Sequence, residues 1–167
     1  ILNYPSNPTG TTLNETFLRE LAALAKAHDV LIISDEIYGD LHHRGQHQTI
    51  ARYYSQGTVI SSGLSKWCGA GGWRLGTFVF PNELSSLLDQ MAVVASETFT
   101  STSAPIQYAA IRAFEGGAEI EQYVQQSRLV LERVGQAVHA KLLEKGVSCL
   151  APQGGFYLMP DFQTFAP

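Results

Sequence analysis

The segment VLIIS, residues 30 to 34, constrains the fold of this chain more than any other stretch. It is a continuous apolar run of mostly branched side chains, which is typical of a strand buried on both faces of a parallel sheet. A shorter apolar run, ILNY, opens the chain, and the residues between the two runs place apolar side chains at helical spacing from Phe17 to Ala25. The order strand, helix, strand indicates an α/β fold.

The remaining elements continue this alternation. We predict a third strand in TVISSGLS (58 to 65) and a fourth in RLGTFVF (74 to 80). A capping box from Thr12 to Glu15 is predicted to begin the first helix. Later helices are predicted from Pro81 to about Ala95, from Pro105 to Phe114, and over residues 119 to 145 with Gly146 at the C-terminal cap; VSCLAP and GGFYLMP are strand-like.

Composition limits the classes of function. The chain has 167 residues, 45% of them hydrophobic, which is enough for a sizeable core. A net charge of −4 and the lack of a basic block argue against nucleic acid or an anionic membrane as the main partner. No run of 18 apolar residues appears, so no membrane span is expected. Cys68 and Cys149 follow no metal or disulfide pattern, which favours the reducing cytoplasm.

Other candidate ligands carry less weight. His42, His43 and His47 lie in a polar segment, and we expect them to be solvated rather than to bind a metal. No signal peptide precedes the first element, and the chain opens on ILNYP without an initiator methionine. We interpret it as a fragment of a longer enzyme.

Polar side chains follow each of the first three predicted strands. Asn7 follows the first, Asp35 and Tyr38 follow the second, and Lys66 follows the third. Taken singly, each has an ordinary explanation, such as a turn former or the end of a strand. Ligands in open α/β sheets bind outside the carboxyl ends of the strands, so we expect these residues to converge on one crevice.

The residue types indicate a cofactor. Lys66 stands alone in the run SSGLSKWCGAGGWRLG, and a lysine in an apolar site has a lowered amine pKa and can form a Schiff base with an aldehyde. Arg74, eight residues later, suits a phosphate dianion. A carboxylate such as Asp35 can keep a ring nitrogen protonated, and hydroxyl or amide donors can steady a phenolate oxygen. Pyridoxal 5′-phosphate carries all of these groups.

The sequence resembles the class I/II, fold-type I, pyridoxal-phosphate-dependent aminotransferases. The matching motifs are NYPSNPTG (3 to 10), SDEIY (34 to 38), SGLSK (62 to 66) and GGWRLG (71 to 76), and PQGGFYLMP (152 to 160) resembles the start of the family's small domain. The resemblance implies a partial large domain over residues 1–117, a three-layer α/β/α structure with a mostly parallel sheet. Residues 118–167 would be a long connecting helix and the beginning of a small α+β domain.

The resemblance also implies roles for individual residues. Lys66 would hold the cofactor as a Schiff base and then shuttle the proton at the substrate Cα. Asp35 would pair with the pyridine nitrogen, and Tyr38 and Asn7 would hydrogen-bond the phenolate oxygen. The catalytic residues implied are thus Lys66, Asp35 and Tyr38.

The phosphate site departs from the family pattern at one position. Arg74 would bind the phosphate, together with Ser65. Many family members have a serine three positions before the lysine, where this chain has Gly63. Ser62 and Ser65 are the alternatives that compensate.

The implied activity is the transfer of an amino group between an amino acid and a 2-oxo acid by a homodimeric enzyme. A fold-type I lyase that performs β-elimination is the nearest alternative. A non-catalytic, aminotransferase-like sensor module is the other. We expect this chain alone to be inactive, because the resemblance places other parts of the site outside it.

Overall fold

The computed structural model describes residues 1–163, and its centre is a four-stranded sheet with the strand order β1-β2-β3-β4. The strands are β1 (Leu2–Asn3), β2 (Ile32–Asp35), β3 (Thr58–Gly63) and β4 (Gly76–Val79). β1, β2 and β3 are parallel, and β4 runs antiparallel to β3. The predicted α/β fold with a mostly parallel sheet is confirmed. β2 begins two residues into the apolar run VLIIS, and the run is not buried on both faces as expected, because Val30 and Leu31 are exposed and Ile33 is half-buried.

Four α-helices, five short 3-10 helices and a two-stranded antiparallel sheet complete the described chain. The helices are α1 (Glu15–Ala27), α2 (Ser85–Thr98), α3 (Ala104–Glu115) and α4 (Ala118–Glu144), and β5 (Ser148–Cys149) pairs antiparallel with β6 (Pro160–Asp161). The predicted helices are confirmed, although α2 starts only after a 3-10 turn over Asn82–Leu84. No helix within residues 1–163 combines the length and apolar character needed to cross a membrane.

The segment GGFYLMP is mostly not a strand, contrary to the prediction. Of its residues only Pro160 belongs to β6, and Gly154 forms an isolated bridge with His42. The backbone of this segment instead bonds to the first loop and to the turn after β2: Gly154 N donates to Gly10 O at 3.1 Å, and Gly155 N donates to Leu41 O at 2.9 Å. These bonds draw the C-terminal segment towards the edge of the sheet where the predicted site residues lie.

The predicted capping box at Thr12 is wrong. Helix α1 begins later, and Asn14 is its N-cap, with Asn14 Oδ1 accepting a hydrogen bond of 2.9 Å from Phe17 N. The Glu15 carboxylate accepts from Arg19 one turn on, rather than reaching back to a cap. Thr12 is occupied otherwise, because its backbone N–H donates to Gln153 Oε1 at 2.8 Å.

Two apolar clusters fix the positions of the loops. The first packs α1 against β1 and β2, and its buried members are Tyr4, Leu18, Ala22, Ala25, Ile32, Ile50 and Tyr54. The second lies around the loop that carries Lys66, and its buried members are Tyr38, Leu41, Leu64, Trp67, Ala70, Leu75 and Ala110. Because Leu64 and Trp67 are buried close to Lys66 on either side, the backbone around the lysine is held by core packing.

Replacing the cap tests the observed start of α1. We expect Asn14→Ala to lower the free energy of unfolding by about 1 kcal/mol, because a backbone N–H of the first turn loses its acceptor. Thr12→Ala is the matched control and should have little effect, since the Thr12 backbone bond survives. Chemical denaturation of the full-length gene product measures both changes. A larger loss of unfolding free energy from Thr12→Ala than from Asn14→Ala would support the capping box at Thr12.

Candidate cofactor-binding site

The carboxyl ends of β1, β2 and β3 form one edge of the sheet, and the predicted site residues gather there. Asn3 lies opposite Asp35 in the parallel register, and Asp35 lies opposite Ser61. Asn3 Nδ2 donates to Asp35 Oδ2 at 3.0 Å, and Asn7 N donates to Asn3 Oδ1 at 2.7 Å. The structure therefore links Asn7 to Asp35 through Asn3.

Lys66 and Tyr38 also meet at this edge. Lys66 Nζ lies 5.6 Å from the centre of the Tyr38 ring and 5.8 Å from the centre of the Phe156 ring, within the range of a cation-π contact. Within residues 1–163, Lys66 has no salt bridge or hydrogen-bonded partner for its side chain. The amine is thus half-buried between aromatic faces and has no carboxylate to neutralise it.

The Tyr38 hydroxyl has a partner that the sequence did not reveal. Tyr38 is buried, and its Oη lies 2.8 Å from Tyr157 Oη. The hydrogen bond with Tyr38, and to a smaller extent burial, raises the pKa of Tyr157, while the charge of Lys66 acts in the opposite direction. The hydrogen-bonded hydroxyl groups of Tyr38 and Tyr157 therefore lie on the same side of the site as the Lys66 amine.

Arg74 lies on the loop that connects β3 to β4. Its backbone is left-handed, with φ 57° and ψ 46°, a conformation that costs an L-residue about 1 to 2 kcal/mol. Its exposed guanidinium donates to Gly71 O at 2.7 Å and makes no salt bridge within the described chain. Most of the donors of Arg74 remain available to an anion.

Gly63 cannot be replaced by the serine that many family members have. A Cβ on Gly63 would lie 2.6 Å from Leu75 O and 3.0 Å from Gly76 Cα, both backbone atoms of the paired strand. The β3–β4 pairing thus closes this position to any side chain. Ser65 is half-buried on the loop that follows β3, and its role as a phosphate ligand stays a prediction.

Glu36, next to Asp35, belongs to a separate polar network. Its carboxylate accepts hydrogen bonds from Ser34 Oγ at 2.8 Å, Thr49 Oγ1 at 2.5 Å and His47 Nε2 at 2.8 Å, and only 9% of its side chain is exposed. Burial alone would raise the pKa of Glu36, but the hydrogen bonds and the charge of His47 outweigh burial and lower it. As the alternation of an extended segment predicts, Asp35 and Glu36 serve different surroundings.

The expectation that the three histidines are solvated is wrong. His42 is buried, and its two ring nitrogens lie 2.6 Å from Gly39 O and 2.5 Å from Gly45 O. His43 contacts the carbonyl oxygens of the C-terminal segment, and His47 contacts Glu36. The polar segment folds back on β2 because it supplies the hydrogen-bond donors that the buried Glu36 carboxylate needs.

A cavity of about 410 Å³ opens beside Lys66. Its walls are mostly apolar and come from Leu41, Trp67, Tyr123 and Phe156. A larger cavity of about 710 Å³ lies between β4 and α3, and its lining contains none of the predicted site residues. Of the predicted site residues, Lys66 lines the first cavity but Asn7, Asp35, Tyr38, Ser65 and Arg74 do not, so neither cavity by itself contains the candidate site.

The fold and this edge define an α/β protein with an unneutralised lysine at the carboxyl ends of parallel strands. The chain matches the family described as Aminotransferase class I and II over residues 1–164, and it belongs to that family. Aspartate aminotransferase of Bacillus subtilis is 36% identical over 99% of this chain, and the probable N-acetyl-LL-diaminopimelate aminotransferase of the same organism is 34% identical over 99%. Among solved structures, aspartate aminotransferase from Thermus thermophilus with maleate is similar with a TM-score of 0.93 and 31% identity over 99% of this chain.

The chain spans less than half the length of these relatives. It covers 42% of the first, 40% of the second and 43% of the third. The large-domain and small-domain boundaries expected at residues 117 and 118 stay a prediction. So do the roles of Asn7, Asp35, Tyr38, Ser65, Lys66 and Arg74 towards a cofactor.

Sequence reasoning missed three residues of the site. Asn3 is the last residue of β1, and only the register of β1 with β2 shows it to be a neighbour of Asp35. The strand pattern of GGFYLMP gives Phe156 and Tyr157 no role in the site. The paired glycines before them were the available signal, because they let the segment turn onto the aromatic face of Tyr38.

Replacing Arg74 by glycine separates its structural role from its binding role. Arg74→Gly should leave the unfolding free energy of the cofactor-free protein within about 1 kcal/mol of the wild type or raise it, because glycine tolerates the left-handed backbone. The dissociation constant for pyridoxal phosphate should rise at least about tenfold, since a charged phosphate contact is lost. Equilibrium titration followed by absorbance measures it.

Asp29→Gly is the matched control for Arg74→Gly. Asp29 has φ 51°, lies beyond the end of α1, and takes no part in the site. Its replacement should relieve the same kind of backbone strain without changing cofactor affinity. Equal effects of the two substitutions on affinity would contradict a phosphate role for Arg74.

The buried Glu36 predicts an acid-dependent loss of stability. A carboxyl whose folded-state pKa is lowered contributes stability above its unfolded pKa, about 4.5, and this contribution is lost as the pH falls through the lower folded value. Glu36→Gln should reduce the unfolding free energy at pH 7 by about 2 kcal/mol, with a smaller difference below pH 4. Denaturation curves at several pH values measure this, with Glu20→Gln as the control, because Glu20 is exposed and makes no salt bridge within residues 1–163. A difference that does not shrink in acid would contradict the argument.

Proposed function

We propose that this chain carries the cofactor-anchoring part of a pyridoxal-phosphate-dependent aminotransferase, which moves an amino group between an amino acid and a 2-oxo acid. The observation that supports this most directly is the placement of Lys66. Its amine lies between the Tyr38 and Phe156 rings, without an ion-pair partner in the described chain, at the edge where Asn7 and Asp35 converge.

The donor set fits pyridoxal phosphate. Lys66, Asp35 and Arg74 carry charges that no salt bridge neutralises within residues 1–163. The Asp35 carboxylate accepts from the Asn3 amide and, at 3.4 Å, from Ile37 N, so it keeps lone pairs for a further donor. An amine, a carboxylate and a guanidinium in this state match an aldehyde, a protonated ring nitrogen and a phosphate.

When bound, pyridoxal phosphate supplies an electron sink for the pair of electrons left on a substrate Cα after proton removal. The residues of this chain would hold it and move the proton. Lys66 anchors it covalently and carries the proton to and from Cα, while Asp35 holds the proton on the ring nitrogen. Tyr38 and Asn7 donate hydrogen bonds to the phenolate oxygen, and Arg74 with Ser65 binds the phosphate.

Tyr157 affects whether the Tyr38 hydroxyl is free to donate a hydrogen bond to the cofactor. The two hydroxyls share one hydrogen bond, so one of them donates and the other is free to donate elsewhere. Tyr157, donating to Tyr38, would leave the Tyr38 proton for the phenolate. Tyr157 keeps its own proton at neutral pH, and its raised pKa extends this protonated state to higher pH.

The substrate is proposed only as a class. The relatives' names differ in substrate, with aspartate in one and N-acetyl-LL-diaminopimelate in the other. The proposal therefore covers an amino acid donor and a 2-oxo acid acceptor. A homodimer and a cytoplasmic location are part of the same proposal, supported by family membership and by two cysteines that form no disulfide.

Covalent trapping tests the proposal. The full-length gene product, mixed with pyridoxal phosphate and reduced with borohydride, should carry the cofactor on the peptide that contains Lys66, as measured by mass spectrometry. Lys66→Ala should abolish this adduct and lower transamination at least about a thousandfold, because the anchoring and proton-carrying group is lost. Lys26→Ala, at the end of α1, should change neither.

The same assay separates the proposal from its rivals. Amino donors are screened against 2-oxo acids while ammonia release is followed. Ammonia and pyruvate from a β-substituted donor, without amino transfer, would indicate a lyase. An adduct on Lys66 without turnover of any donor would indicate a sensor.

A further inference from the structure

We infer that Asn3 is a positioning residue that couples the carboxylate of Asp35 to the loop of Asn7. This inference rests on the proposed function, in which those two residues contact opposite parts of the cofactor ring. Asn3 itself would not touch the cofactor. It acts by fixing the direction of Asp35 and the path of the chain to Asn7.

The backbone places Asn3 where it can reach both partners. β1 is two residues long and ends at Asn3, whose register partner is Asp35, the last residue of β2. Register partners in a sheet project their side chains from the same face, so the Asn3 amide and the Asp35 carboxylate lie side by side. The parallel pairing of β1 and β2 thus determines this contact.

The Asn3 amide uses both of its ends. Nδ2 donates to Asp35 Oδ2 at 3.0 Å and lies 3.4 Å from the Asp35 carbonyl oxygen, while Oδ1 accepts from Asn7 N at 2.7 Å. The other donor to the Asp35 carboxylate, Ile37 N, is 3.4 Å away. Asn3 therefore provides the shorter of the two contacts that orient this carboxylate.

An amide is suited to this position and a charged side chain is not. A lysine or arginine at residue 3 would neutralise Asp35, and the carboxylate would then be less able to keep a proton on the ring nitrogen of the cofactor. The amide donates one hydrogen bond and leaves the charge in place. It also leaves Asp35 Oδ1 with only the 3.4 Å contact from Ile37 N within residues 1–163.

The expected effect of removing the amide is a shift in the titration of the bound cofactor. Without Asn3 Nδ2, Asp35 is held less firmly and keeps the ring nitrogen protonated less well. A less protonated ring withdraws fewer electrons from the nitrogen that joins Lys66 to the cofactor, so this nitrogen keeps its proton to higher pH. In a pH titration of the bound cofactor, the pH at the midpoint of the change in visible absorbance should be higher than in the wild type by about 0.5 pH unit or more. A hydrogen bond to a charged group is worth about one pKa unit or more.

The experiment is an absorbance titration of the full-length gene product loaded with pyridoxal phosphate. Wild type is compared with Asn3→Ala and with Asn3→Ser, whose shorter side chain cannot span to Asp35. Asn14→Ala is the matched control, because it removes an asparagine and a helix cap elsewhere in the chain. We expect the midpoint to rise in both Asn3 variants and to stay unchanged in Asn14→Ala.

A second cofactor identifies the path of the effect. Titrations are repeated with the pyridoxal phosphate analogue that has carbon in place of the ring nitrogen. If Asn3 acts through Asp35, wild type and the Asn3 variants should titrate alike with this analogue. A shift that persists with the analogue, or equal midpoints for all proteins with pyridoxal phosphate itself, would overturn the inference.

Other outcomes are equally decisive. If Asn3→Ala does not fold, the test uses Asn3→Ser instead. The ¹⁵N chemical shift of the ring nitrogen is then measured with labelled cofactor bound to Asn3→Ser and to the wild type. An unchanged chemical shift counts against the inference. A lower melting temperature with an unchanged titration would show a purely structural role. Failure of the wild type to take the cofactor on Lys66 would instead overturn the proposed function.

Discussion

The parallel pairing of β2 with β1 and β3 is the constraint on which the site depends. Because the three strands run in one direction, the loops that follow them leave the same edge of the sheet, and residues separated by tens of positions become neighbours. The register puts Asp35 opposite Asn3 on one side and Ser61 on the other. Packing of α1 on one side of the sheet then holds β1 and β2 together.

The antiparallel return of β4 determines how Lys66 and Arg74 are presented. The β3–β4 connection is closed at its base by Leu64 N donating to Leu75 O at 3.3 Å, and Gly63 allows the backbones to approach closely. Leu64, Trp67, Ala70 and Leu75 are buried, so the loop has a core of its own. Lys66 and Arg74 are thus held on this loop between buried apolar residues, and neither forms a salt bridge within residues 1–163.

The sequence was sufficient for the elements with strong local signals. The run VLIIS and the helical spacing of α1 and α4 are local patterns, and the structure contains a strand or a helix at each of them. The isolated Lys66 is also a local signal, and its role stays a prediction. What the sequence could not provide were contacts made across the chain. Asn14 rather than Thr12 caps α1 because Thr12 is engaged by Gln153, and Tyr157 meets Tyr38 across 119 positions. The burial of His42 could not be predicted for the same reason, because a polar segment has no periodic pattern that shows which surface it will cover.

Two adjacent carboxylates at the end of β2 show how surroundings assign different tasks to similar groups. Glu36 accepts three hydrogen bonds from Ser34, Thr49 and His47, so its charge is used inside the protein. Within residues 1–163, the Asp35 carboxylate accepts from one amide and, at 3.4 Å, from one backbone N–H, so its charge stays available. The alternation of an extended strand turns the two side chains to opposite faces, so Asp35 does not share the polar network that surrounds Glu36. In the proposed function, the available charge of Asp35, rather than the number of acidic residues, therefore distinguishes the cofactor side of β2 from the side that stabilises the fold.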